Sequence, residues 1–126
     1  MPIALALRGD LVRVAADEEA GKAGDIGDQL EAFAAVVDFE IFRADLIAAL
    51  GYSDGAKGGR PPFDPVMMFK VLVVQAQNNL SDDRAEFLIN DRLSFMRFLG
   101  LGLGDKVPDA KTIWAFRERL TRAGAI

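Results

Sequence analysis

Asp64-Pro65-Val66-Met67-Met68-Phe69-Lys70-Val71-Leu72-Val73-Val74-Gln75-Ala76 decides how this chain folds. A carboxylate followed by proline is a helix start. The Asp64 side chain can accept an orphan backbone N–H, and Pro65 at the first helical position gives up a donor that would be unpaired anyway. The helix that follows, from Pro65 to about Leu80, is apolar on every side. Such a helix is not solvated on any face. It is either the central helix of a bundle or is covered by a second copy, with Met67, Met68, Phe69 and Val73 as candidate interface or core residues.

Working outward, the neighbouring segments repeat the same grammar. Downstream, Ser81-Asp82-Asp83 caps a helix in which Phe87 and Leu88 are expected to turn inward. Ser94 is expected to cap a short helix containing Phe95, Phe98 and Leu99. Gly100 to Gly104 reads as a flexible link, after which Asp109 caps a last helix from Ala110 to about Ala123, and Gly124 ends it. Upstream, Ser53 to Pro62 is a turn-rich loop. Before it, Leu30, Phe33 and Val37 share one helical face. Asp38 can cap a segment in which Phe39, Phe42, Leu46 and Leu50 recur at helical spacing, closed by Gly51. Residues 1–26 are rich in Ala, Gly, Asp and Glu and read as a poorly ordered or variable tail, with a short structured piece at Ile3 to Val14. No strand pairing is needed. The expected fold is all-α, a compact bundle of about five to six helices over residues 27–126, helix-turn-helix-like in its C-terminal part.

Composition removes several chemistries. The 126 residues, 51% of them hydrophobic, suffice for one core. There is no Cys and no His, which excludes disulfides, thiolate nucleophiles, the usual zinc sites and imidazole acid–base catalysis. No metal site, cofactor or small-molecule substrate is expected. No segment reads as a signal peptide or a membrane span, because the apolar run around Val66 to Val74 is broken by Lys70 and followed by Gln75. The chain is expected in the cytoplasm, and without a site for autonomous catalysis.

The net charge of −4 is unevenly spread. Residues 1–59 hold five basic and eleven acidic side chains, whereas residues 84–126 hold eight and five. A polyanion would therefore meet the C-terminal third. At 100° per residue, Ile113, Phe116 and Leu120 share the inward stripe of the last helix. Lys111, Ala115, Glu118 and Arg122 stand opposite, with Thr112 and Arg119 on one flank and Trp114 on the other. One reading presses this face into a DNA groove. Lys111, Thr112, Arg119 and Arg122 would then make the contacts, Thr112 near the helix N-terminus, with Arg117 and Lys106 as peripheral phosphate partners. The other reading is a solvated face, since Glu118 precedes Arg122 by four residues. Trp114 fits a half-buried anchor or a base-stacking residue. Arg60, set between glycines and prolines, is either a minor-groove arm or a linker residue. The Asp82-Asp83 pair is explained by its place in a first helical turn.

The run Gly58-Gly59-Arg60-Pro61-Pro62-Phe63-Asp64-Pro65-Val66-Met67-Met68-Phe69-Lys70-Val71-Leu72 resembles the N-terminal domain of the insertion-sequence-five type of bacterial DDE transposases. The likeness continues through Asn79-Leu80-Ser81-Asp82, Asp91 to Leu101, Val107 to Trp114 and Phe116 to Leu120, and covers about Gly27 to the end. It implies a domain that binds the terminal inverted repeats of double-stranded transposon DNA and helps pair transposase subunits. The partners so implied are DNA ends and a second copy or a full-length transposase. In that family a following RNase H-like domain supplies three metal-binding carboxylates, the first of them on a strand beyond Ile126. The resemblance therefore implies a DNA-binding and assembly module without the nuclease: a remnant, a fragment or a short competing product. A different class of function, self-association through the apolar helix and the Phe33/Phe42 face, stays open beside it.

Overall fold

The computed structural model describes residues 26–51 and 63–125. The 1–25 tail with its Ile3 to Val14 piece, the Ser53 to Pro62 loop and Arg60 lie outside the described residues. Within them the elements are α1 (Ile26–Val36), a 3-10 turn (Phe39–Phe42), α2 (Arg43–Leu50), α3 (Pro65–Asn78), α4 (Asp82–Asp91), α5 (Leu93–Leu99) and α6 (Ala110–Arg122). The described chain is an all-α bundle of six α-helices.

Local chemistry starts and stops most of these elements. Asp64 accepts the Met67 N–H at 3.1 Å with Pro65 in the first turn. Ser81 accepts from the Arg84 N–H at 3.0 Å, and Asp109 from the Thr112 N–H at 2.8 Å. α3 ends at Asn78, two residues before Leu80, because Asn79 turns into the left-handed region at φ 54°. Asparagine tolerates that conformation. Gly51 does the same for α2 at φ 65°. Asp38 caps as expected, but its carboxylate accepts the Glu40 N–H and opens a 3-10 turn before α2 begins.

Three local expectations are corrected. Ser94 does not cap α5; it is the second residue of that helix. A single extended residue, Arg92, joins the two helices: its N–H donates to Leu88 O, and its carbonyl accepts from Phe95 and Met96. With no loop between α4 and α5, no capping serine is needed. Phe87 does not turn inward and is 52% exposed, because Ala85, Leu88 and Ile89 hold the buried stripe of α4. Arg84 lies over its ring instead, 5.0 Å from the centroid. Finally, the glycine-rich link is a closed turn, in which the Asp105 carboxylate accepts the Gly102 N–H at 2.7 Å.

α3 is the centre of the bundle, packed by the 3-10 turn, α2, α4, α5 and α6, while α1 packs on α5. Met67, Met68, Phe69 and Val73 are all buried inside this one chain, as are Phe33 and Phe42. Of the two ways to cover an all-apolar helix, the protein uses its own helices, and these residues offer no face to a second copy. Phe69 packs edge-on to Phe39 and tilted against Phe42, which fixes the 3-10 turn over α3. Lys70, the one charged residue of α3, threads out between aromatic rings. Its Nζ donates to Phe98 O at 3.0 Å and sits 5.6 and 5.3 Å from the Phe39 and Phe98 centroids. Burial pulls its pKa below the ordinary lysine value. Arg43 ties the start of α2 to the start of α3 by binding Glu40 and Asp64, each at 2.7 Å.

Phe69→Ala is expected to cost about 3–5 kcal/mol, through lost transfer energy plus a cavity at the bundle centre. Ile41→Ala, at an exposed position, should stay within about 0.5 kcal/mol. Urea unfolding followed by circular dichroism checks both, and similar losses for the two would refute the central placement of α3.

Candidate nucleic-acid interface

Five of the residues expected to contact DNA, Lys111, Thr112, Arg117, Arg119 and Arg122, lie on α6, so its geometry decides what that surface can do. Ile113, Phe116 and Leu120 are buried against the bundle, as their angular placement requires. Lys111, Ala115, Arg119 and Arg122 are exposed, with Thr112, Arg117 and Glu118 partly covered. Trp114 is 55% exposed. About half of the residue is covered by the domain, so an anchoring and a stacking role both fit its position.

The N-terminus of α6 is already occupied by protein carboxylates. The Asp109 Oδ1 accepts both the Thr112 N–H and the Thr112 hydroxyl, at 2.8 and 2.7 Å. These two bonds hold the Asp109 carboxyl below its ordinary pKa. From α4, Glu86 Oε1 accepts the Ala110 N–H at 2.7 Å. A phosphate approaching this end would meet two carboxylates, and the Thr112 proton is spent inside the cap.

The expected cations fall into two groups. Arg117 is a strut: its Nη2 lies 2.6 Å from Asp82 Oδ1 and 2.8 Å from Gln75 Oε1. Gln75 Nε2 closes the triangle by donating to Asp82 Oδ1 at 2.8 Å. One side chain each from α3, α4 and α6 is thereby fixed, and Arg117 holds the Asp82 carboxyl below its ordinary pKa. Arg119 donates to Leu50 O at 2.7 Å, at the C-terminal end of α2 where a cation suits the helix dipole. Lys106 and Lys111 form the second group. Both are exposed, and among the described residues no hydrogen bond or ion pair holds either. Arg122 belongs with them: its side chain is 78% exposed and only loosely met by Glu118 at 3.5 Å.

Reading α6 alone does not reveal Glu86, Gln75 and Asp82 as its supports. Their one signal is the polar Gln75 at the end of an apolar run. An open groove of about 490 Å³ runs beside the triangle, with Leu72, Ala76 and Leu80 along its apolar wall. Gln75, Asp82 and Arg117 at its polar end satisfy one another. Among the described residues, no group of three or more His, Cys, Asp or Glu side chains is placed to hold a metal. No described helix is long and apolar enough to cross a membrane.

An all-α domain built around a buried apolar helix and closed by a basic amphipathic one is the class this geometry defines. Residues 18–119 match the sequence model of the transposase domain family (DUF772), and the chain belongs to that family. The match begins upstream of Gly27, within the segment expected to be a variable tail. No curated protein and no solved structure matches the chain significantly.

The lowered pKa of Asp82 gives the Arg117 pair a defined pH response. Its contribution to stability is complete above the ordinary carboxylate range and is lost as pH falls through the lowered value. Asp82→Asn should cost about 1–2 kcal/mol at neutral pH and should flatten the acid limb of thermal stability below about pH 4. A melting series from pH 7 downward checks this; an unchanged acid limb would show that other carboxylates govern it.

Proposed function

We propose that this chain is a DNA-binding module of the transposition machinery, of the insertion-sequence-five type, which lays the exposed face of α6 on double-stranded transposon-end DNA. The observation that carries it is the residue set left over once the bundle has used its own cations. Lys111 and Arg122 face solvent on either side of a small residue, Ala115, along α6, and Lys106 is exposed in the preceding loop, in a chain of the transposase domain family. Arg117 and Arg119 pass from the contact set to the support of the helix. Thr112 does so as well. Arg60 remains a proposed arm contact. The role proposed for it is binding, and two copies on one duplex would supply the positive charge that a single copy lacks.

The test is fluorescence anisotropy of a labelled duplex carrying the element's terminal inverted repeat, against a scrambled duplex, over a salt series. Tighter, salt-sensitive binding to the repeat is expected. Lys111→Ala combined with Arg122→Ala should weaken it and lower the slope of log affinity against log salt by roughly 2. Parent-like affinity and slope in that double variant would move the site off α6. No binding at low salt would overturn the proposal.

A further inference from the structure

Trp114 is the only tryptophan of the chain, and more than half of it is in solvent on the helix just described. Its surroundings decide what could cover it. Along α6 its neighbours one turn away are Ala110, Lys111, Arg117 and Glu118, and Ala115 follows it in sequence. Arg117 is drawn aside to Asp82 and Gln75, and Glu118 leans toward Arg122. Lys111 is exposed; among the described residues no hydrogen bond or ion pair holds it, and the nearby Asp109 carboxylate acts on it only through its charge. The indole therefore stands beside two alanines and one available cation, with no second large apolar side chain on its face of the helix. On α6 itself there is no second exposed large apolar side chain to extend the indole into the contiguous patch that a protein groove needs. A flat ring carrying a phosphate next to it needs an aromatic platform and a cation, and that is what this face offers.

Intact B-form DNA keeps the faces of its bases stacked, so an indole meets one only where a base is unpaired. We infer that Trp114 stacks on an unpaired nucleobase at a DNA end, with Lys111 on the adjoining phosphate. The preferred ligand is then a duplex with a short single-stranded extension rather than a blunt duplex. This rests on the DNA-binding role proposed above and specifies the form of DNA that it takes.

With one tryptophan, indole emission reports this side chain alone. The full chain is titrated with the inverted-repeat duplex in two forms, blunt and carrying a short overhang, and anisotropy and indole emission are read together. The overhang should quench the indole and bind roughly tenfold more tightly than the blunt end. Trp114→Phe should keep most of that preference. Trp114→Leu, apolar but without a ring, should lose it, so that overhang and blunt duplexes bind that variant with equal affinity. Circular dichroism confirms that both variants fold, as an exposed position allows. Equal affinity for both DNAs with an unchanged indole, or an overhang preference surviving in Trp114→Leu, would overturn the stacking role and leave the DNA-binding role standing. Failure of both DNAs to bind would overturn the two together.

Discussion

A helix without a polar side has to be enclosed, and enclosing α3 dictates almost everything else in this protein. Its apolar surface turns in every direction, so one partner helix is not enough. The 3-10 turn, α2, α4, α5 and α6 surround it, and each contributes side chains that are almost fully buried. The polar groups that α3 cannot avoid are placed where they can be satisfied. Lys70 escapes between Phe39 and Phe98. Gln75, at the end of the apolar run, becomes a corner of the triangle with Asp82 and Arg117. Burying the helix and anchoring the last helix are thus one construction.

That construction governs what α6 has left for a ligand. Net positive charge in the C-terminal third is a property of the sequence, but charge used inside the protein does not act outside it. The cations at 117 and 119 hold α6 to α4 and α2, and the carboxylates of Asp109 and Glu86 fill its leading end. The remaining surface is narrower than a count of arginines implies. α6 is also held from both ends, so the backbone positions of Lys111 and Arg122 keep a fixed separation along the helix.

How much of this is legible in the sequence follows from range. Caps act over two or three residues, so Asp38, Asp64, Ser81 and Asp109 declare themselves, and so does the inward stripe of Ile113, Phe116 and Leu120. Phe87 misleads because it is a large apolar residue beside the true stripe of Ala85, Leu88 and Ile89. Ser94 misleads because a capping residue type need not occupy a helix start when two helices share one junction residue. Arg117 and Arg119 are the hardest case. Their partners lie 35 and 69 residues away, and a helical wheel holds no information at that distance. The surface that looks basic on the wheel is therefore partly a surface of internal fasteners.

The junction at Arg92 has a consequence for how this domain tolerates change in length. One residue closes α4 and opens α5, so the two helices have no slack between them. An added or deleted residue there would rotate α5 by roughly 100° about its axis. Phe95, Met96, Phe98 and Leu99 would swing out of the core together. The stretch from Asp82 to Leu99 can accept exchanges of side chain, but its length is fixed as firmly as the spacing of teeth on a gear.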